Sequence, residues 1–294
     1  MVIQFWGVRG SIPTPCSTEF ITSRYGGNTT CVSIRIPGQI VILDGGSGLR
    51  TLGLQLTKEM PFAATFFFSH VHWDHIQGVP FFIPAFINGN KFQLYGPDLK
   101  HNGASGYSML EHALRAQQTD VNFPVALSNM AAKIQFSTLK EDQTVELKGT
   151  ESTLRVTSGA LNHPGGCFGY RIEAHRQGAV KTFVYATDTE HLVGNNPKLQ
   201  KLAKNADVLL YDAQYTEDEY AGRDGISHKN WGHSTWRHGV LEAQAANVKR
   251  LLLTHHDPLH DDWAVARIEY DAHKEGLKTD LVVSAAREGM KLVL

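Results

Sequence analysis

The sequence predicts an α/β fold built as one domain, residues 1–294, from two packed halves. Three observations carry that expectation. Short strand-like apolar runs alternate with helical patterns along the whole chain. No charged linker, low-complexity block or short internal repeat divides it. The aromatic run Phe66-Phe67-Phe68, which has no room for polar alternation, reads as a strand buried on both faces and stops at a dense set of metal-ligand side chains. A hydrophobic content of 42% over 294 residues is ample for a sizeable core.

Residues 2–6 read as a first strand, followed by the turn-rich loop Gly7-Val8-Arg9-Gly10-Ser11-Ile12-Pro13. Cys31 to Ile36 and Ile40 to Leu43 read as strands joined by a hairpin turn at Pro37-Gly38-Gln39, the second ending at Asp44-Gly45-Gly46-Ser47-Gly48. That glycine-rich turn lacks a P-loop Lys-Ser/Thr and does not match a dinucleotide fingerprint, so nucleotide-cofactor binding is not expected there. Residues 49–60 read as a helix, Lys91 to Tyr95 as a strand, and 104–118 as a helix with the stripe Met109, Leu110, Ala113 and Leu114. The segment Asn122–Val125 is placed over the cleft beside the ligand loop. Further strands are expected at 133–136, 144–147, 153–157, 167–173, 181–185, 207–211, 250–253 and 280–283, and helices at 197–204 and 234–248.

Directly after the aromatic strand, His70, His72, Asp74 and His75 form an H-x-H-x-D-H cluster. His70 and His72, two positions apart, point the same way and can chelate one ion, while Asp74 and His75 open the next turn and face a neighbouring site. Desolvating three imidazoles and a carboxylate together is costly unless a cation accompanies them. With 15 His in the chain, metal and proton chemistry is the natural use for this loop.

Additional ligands should follow other strands. His163 in Leu161-Asn162-His163-Pro164 is one candidate, and Asp188 after Phe183-Val184-Tyr185-Ala186-Thr187 is a second. The third is His255, or the adjacent His256, after Leu251-Leu252-Leu253-Thr254.

Net charge is near balance, with 28 Lys+Arg against 29 Asp+Glu, which excludes a broad electrostatic footprint for nucleic acid or an anionic membrane. The three cysteines, Cys16, Cys31 and Cys167, have no C-x-x-C spacing and suggest a reducing compartment. With no signal-like N-terminus and no apolar run of membrane length, a cytoplasmic protein without a membrane partner is expected.

The H-x-H-x-D-H cluster, followed in order by His163, Asp188 and His255, resembles the metallo-β-lactamase superfamily. The resemblance implies a four-layer αβ/βα sandwich, two mixed β-sheets flanked by helices, with divalent metals at its edge. It assigns His70, His72 and His163 to one metal, Asp74, His75 and His255 to the other, and Asp188 to both. Zinc suits such a site, and manganese or iron can replace it where carboxylates contribute. It also implies that Asp44 supports the ligands from beneath.

Two further features resemble the phosphodiesterase branch of that superfamily, which includes ribonuclease Z and class II cyclic-nucleotide phosphodiesterases. They are Asp212, ending Val208-Leu209-Leu210-Tyr211, and Trp231-Gly232-His233-Ser234-Thr235 before a helix. The openings Gly7 to Pro13 and Tyr25-Gly26-Gly27-Asn28-Thr29 are similar as well. The implied chemistry is hydrolysis of a small phosphodiester by a water activated between two cations, oriented by Asp74, with His233 held by Asp212 as general acid. Cyclic nucleotides are among the candidate substrates. A tRNA 3′-processing nuclease, with nucleic acid as partner, is the alternative, and a lactone or thioester hydrolase is a third reading. The resemblance also implies a homodimer. Arg9 is open to two readings, a phosphate contact or a structural arginine.

Overall fold

A computed structural model describes residues 1–98, 108–191, 194, 196–223 and 225–294. The strands are β1 (Val2–Gly7), β2 (Cys31–Ile36), β3 (Gln39–Leu43), β4 (Ala63–Phe67), β5 (Lys91–Pro97), β6 (Lys133–Leu139), β7 (Thr144–Lys148), β8 (Thr153–Leu161), β9 (Cys167–Arg176), β10 (Ala179–Ala186), β11 (Val208–Asp212), β12 (Arg250–Thr254), β13 (Val282–Ala285) and β14 (Lys291–Val293). The helices are α1 (Gly48–Leu56), α2 (Trp73–Ile76), α3 (Met109–Gln117), α4 (Pro197–Ala203), α5 (Glu217–Ala221), α6 (Trp236–Ala245) and α7 (Asp262–Gly276).

The strands form two seven-stranded sheets, in the orders β14-β1-β2-β3-β4-β5-β6 and β13-β12-β11-β10-β9-β8-β7. Both are mixed: β3 to β6 run parallel and β14 to β3 antiparallel, while β10 to β13 run parallel and β7 to β10 antiparallel. Period-two alternation sorts the side chains into layers. Val41, Leu43 and Phe67 from the first sheet meet Tyr170, Phe183, Tyr185, Leu210 and Leu252 from the second in a shared middle core. Ile42, Phe66 and Phe68 face outward onto Leu49, Leu52 and Leu56 of α1 and Leu110 and Leu114 of α3. Leu209, Leu251 and Leu253 face the opposite way onto α4, α6 and α7. The result is the four-layer αβ/βα sandwich. Each fully buried Phe here contributes roughly 1.5–3 kcal/mol relative to exposure.

The structure departs from the sequence expectations mainly where the apolar signal is thin. Helix α7 buries only Val265, Ile268, Ala272 and Gly276 among its apolar and small positions, so its stripe is submerged in a charged sequence, and capping by Asp261 marks its start. Strand β14 is three residues long and exists because β1 pairs with it, the main chain of Met1 and Leu294 closing the ladder. Helices α2 and α5 are one turn each. The helix expected at 49–60 breaks into α1 and a 3₁₀ turn at Thr57–Glu59. The one expected at 104–118 is observed from Met109, capped by Ser108, and its first four positions lie outside the described residues. No helix among the described residues is long and apolar enough to cross a membrane.

Candidate active site

The chain leaves the C-terminal ends of β3, β4, β8, β10, β11 and β12 along one edge of the sandwich, and each exit delivers a polar side chain: Asp44, His70, His163, Asp188, Asp212 and His255. Asp44, Asp188 and His255 all adopt left-handed backbone, with φ of 56°, 53° and 60°. Asp and His tolerate this region better than most residues, and strain of this kind persists where surrounding contacts over-determine the geometry. Helix α2 places Asp74 and His75 in its first turn directly after His72.

Two clusters result. The ligand nitrogens of His70, His72 and His163 lie within 4.8 Å of one another, as do single ligand atoms of Asp74, His75, Asp188 and His255. Asp188 joins them: its Oδ1 is 3.2 Å from Nε2 of both His75 and His255, and its Oδ2 is 3.6 Å from Nε2 of His70. Asp74 Oδ2 lies 3.1 Å from His255 Nε2 and accepts the backbone N–H of Ser11 at 2.8 Å. His256 turns away, its Nε2 donating to the carbonyl of Ala286. The member that faces the cluster is therefore His255.

The opposite nitrogens of four rings are fixed from behind. His75 Nδ1 is held by Asp44 at 2.8 Å, His163 Nδ1 donates to the Gly232 carbonyl at 2.8 Å, and His255 Nδ1 donates to Gln214 Oε1 at 2.9 Å. Ser69 Oγ donates to Asp44, so it accepts from His70 Nδ1 at 3.0 Å. With these protons assigned, the Nε2 lone pairs of the four rings face the clusters. Asp44 is itself saturated, accepting Ser69 N–H and the Tyr185 hydroxyl as well.

This arrangement fits divalent cations on two grounds. Nε2 of His70 and of His75 is buried without a hydrogen-bond partner. The buried carboxylates also demand positive charge. Burial raises the pKa of Asp188, but the charges of His255 and His75 outweigh it and hold the carboxyl well below its ordinary range. Burial lowers His75, yet Asp188, Asp74 and Asp44 together lift it well above its usual value, and His255 is pushed up to about 10 by Asp188 against the same desolvation. His70, away from most of that negative charge, is driven well below its usual value by burial and by the neighbouring His75. Such a donor set of imidazoles and carboxylates suits zinc or a related divalent ion.

His233 stands beside both clusters, its ring centroid 4.7 Å from that of His255 and 5.3 Å from that of His163. Its Nδ1 is 2.9 Å from Asp212 Oδ2, and Asp212 also accepts the backbone N–H groups of Thr189 and Gln214. Thr235 caps α6, accepting from His238 N–H, while Ser234 accepts from the Tyr211 hydroxyl. The helix cap and the His233–Asp212 pair thus coexist in the H-S-T stretch.

Several supporting residues carry no motif. Glu190 accepts the N–H groups of Asn230 and Gly232 and the Tyr220 hydroxyl, fixing the loop before His233. Gln214 carries no motif either, whereas Ser11 lies in the Gly7 to Pro13 opening, Tyr185 in the strand before Asp188 and Ser69 beside His70, none of them marked by residue type as a supporting group. Of the two readings of Arg9, the contacts fit the structural one. Arg9 is fully buried and donates to the carbonyls of Gly26, Asp257 and His260, tying the opening loop to the segment after His255.

A cavity of about 410 Å³ opens above the clusters, lined by Ser11, Val71, His72, Trp73, Asp74, Asp188 and His233. An adjoining one of about 530 Å³ shares Val71 and Trp73 with it. Phe123, in the segment expected over the cleft, packs on Phe81 along this second cavity.

Residues 41–256 match the family model described as the Beta-lactamase superfamily domain. The chain is 25% identical to ribonuclease Z of Lactiplantibacillus plantarum, over 78% of this chain and 81% of that protein. In three dimensions it is similar to the metallo-beta-lactamase fold protein YhfI from Bacillus subtilis, with a TM-score of 0.66 at 17% identity, covering 99% and 98% of the two chains. The short form of human tRNase Z aligns with a TM-score of 0.62 at 18% identity, covering 100% and 99%.

Proposed function

The chain belongs to the beta-lactamase superfamily, and from that premise we propose that it is a metal-dependent phosphodiesterase acting on a small phosphodiester. The observation that carries this is Asp188, whose two oxygens face the two histidine clusters at 3.2 and 3.6 Å with the Asp212–His233 pair alongside.

His70, His72 and His163 would hold one divalent cation, Asp74, His75 and His255 a second, and Asp188 both. Bound there, the cations supply Lewis-acid activation of water and neutralise charge on the phosphoryl oxygens. The chain's own residues do the rest. Asp74, anchored by Ser11 N–H, directs negative charge into the cleft. Asp212 holds the Nδ1 proton of His233, so the opposite nitrogen is the one free to protonate a departing alkoxide. The clustered imidazoles and Trp73 wall the reacting phosphate from one side.

A small substrate is supported by the near-zero net charge and by cleft volumes of about 410 and 530 Å³, the size of small-ligand sites. The ribonuclease Z relatives favour a second reading, a tRNA 3′-processing nuclease. Salt separates the two, because a protein gripping many phosphates loses affinity steeply as salt rises.

The test is hydrolysis of bis(p-nitrophenyl) phosphate by protein of measured metal content, beside Asp188→Ala. Activity with two ions per chain, lost in the variant, supports the reading. No hydrolysis by fully loaded protein overturns it in favour of a lactone or thioester hydrolase.

A further inference from the structure

Glu190 lies two residues beyond Asp188 and is buried, its carboxylate filled by donors from one loop and one helix. Oε1 accepts the Tyr220 hydroxyl at 2.6 Å and the Asn230 N–H at 2.7 Å, and Oε2 accepts the Gly232 N–H at 3.0 Å. Asn230 and Gly232 are both left-handed, with φ of 67° and 91°. The main chain of Glu190 is tied to the residue before His163. Its N–H donates to the Asn162 carbonyl at 2.7 Å, and Asn162 Nδ2 donates to its carbonyl at 3.1 Å.

Gly232 is held on its other side by a ligand of the His70–His72–His163 cluster. Its carbonyl accepts from His163 Nδ1 at 2.8 Å, and the ring packs so closely that a Cβ on Gly232 would stand 2.2 Å from that nitrogen. The glycine directly before His233 is thus gripped at its N–H by Glu190 and at its carbonyl by His163. Beyond His233 the chain is fixed again, the Ser234 carbonyl accepting from the Tyr215 N–H at 3.1 Å.

We infer that Glu190 is a positioning residue that orients His163 and His233 as one unit, so that one carboxylate sets both a metal ligand and the proton donor. For His233 this rests on the phosphodiesterase reading; for His163 it rests on the contacts alone. Glycine has more backbone freedom than any other residue, and rotation at Gly232 moves two groups at once: the carbonyl that fixes the His163 proton on Nδ1, and the Cα from which His233 hangs. Glu190 pins the peptide plane ahead of that rotation. Asp212 fixes the ring of His233, and Glu190 fixes the main chain beneath it. A carboxylate that merely filled the core would affect both cation sites alike, whereas this connectivity reaches the site of His163 and leaves that of Asp74, His75 and His255 alone.

The experiment is Glu190→Gln. With the amide oxygen serving Tyr220 and Asn230, its NH2 faces the Gly232 N–H, donor against donor. Zinc titration against a competing chelator should show one of two bound ions weakened about 10–100-fold and the other nearly unchanged. Turnover of dibenzyl phosphate, whose alkoxide needs a proton to depart, should fall about tenfold more than that of bis(p-nitrophenyl) phosphate. In a His233→Ala background that extra deficit should vanish while the zinc effect stays, because no donor is left to misplace. Asn162→Ala removes one tie to Glu190 and keeps its carboxylate, so it should move both readouts the same way by a smaller factor, and it carries the test should Glu190→Gln fail to fold. Equal weakening of both ions with equal slowing of both esters, or no change in either readout, overturns the positioning role. If the loaded wild type hydrolyses neither ester but one ion is selectively weakened in the variant, the hold on His163 stands and the assigned reaction is wrong.

Discussion

Nδ1 of His233 lies 2.9 Å from Oδ2 of Asp212, and two backbone N–H groups hold that carboxylate in place. The imidazole is oriented there, with a ligand atom within 4.8 Å of those of His163 and Asp188. His233→Ala should lower turnover about 10²–10⁴-fold, the range for loss of a positioned proton donor, with metal content unchanged. The deficit should be larger for an ester with an alkyl leaving group than for a p-nitrophenyl ester, whose anion departs without protonation. Equal deficits for both esters would remove the proton-donor role.

Asp44 never touches the cleft, yet it accepts from Ser69, Tyr185 and His75 at once. Asp44→Ala strands those buried groups, each costing about 1–3 kcal/mol, and frees His75 to rotate. Metal affinity should drop about 10–100-fold, as for other partners that orient ligating histidines. Chelator competition for zinc measures the loss of metal affinity, and the denaturant midpoint the cost of the stranded groups. A variant that keeps wild-type affinity would show that Asp44 serves packing alone.

Gly232 has φ of 91°, and a Cβ there would stand 2.2 Å from His163 Nδ1. Gly232→Ala should displace either the loop or the ring, reducing both metal retention and turnover. Gly178 at φ 82° has nothing within 4 Å of its Cβ position. Gly178→Ala should therefore cost only the left-handed strain of about 1–2 kcal/mol, with activity intact. Matching losses in the two variants would mean that backbone strain, and not the clash with His163, governs the first.

Glu219 accepts from Thr216 as the N3 partner of the α5 capping box and from His260 Nε2 at 2.7 Å. Burial pushes its pKa up, but the His260 hydrogen bond and charge and the Thr216 bonds outweigh it, lowering the carboxyl from 4.5 to about 2. A depressed folded value stabilises the native state above the unfolded pKa. The contribution is full above pH 4.5 and fades as pH falls toward 2. Denaturant midpoints across that window should drop less steeply for Glu219→Gln than for wild type, because the variant lacks the contribution throughout. Parallel curves would refute the linkage.

Local pattern was enough to identify most strands, β14 excepted, and the polar side chains that end them. Phe66 and Phe67, Val208 to Tyr211 and Leu251 to Leu253 lie in buried strands as their apolar runs suggest, and in this architecture a strand's C-terminal end is where a polar side chain can emerge. His70, His72, Asp74 and His75 were legible for the same reason, their spacing being set by neighbouring bonds. Helix α7 was not, because a stripe of Val265, Ile268 and Ala272 in a charged segment carries little periodic signal.

Tertiary structure decided what depends on contacts remote in sequence. Nothing near Glu190 indicates that it will hold Asn230 and Gly232, and nothing near Gln214 indicates that it will orient His255, because each pairing forms only once the sheets are assembled. The choice of His255 over its neighbour rests on a left-handed turn at φ 60° that points one ring into the cluster and the next toward Ala286. Arg9 looked equally suited to a phosphate or to the backbone until three carbonyls from remote segments closed around it. Residue types and their order along a chain determine which chemistry is available, but a folded sandwich that brings Asp44 to Tyr185 across 141 positions determines which side chains share one volume.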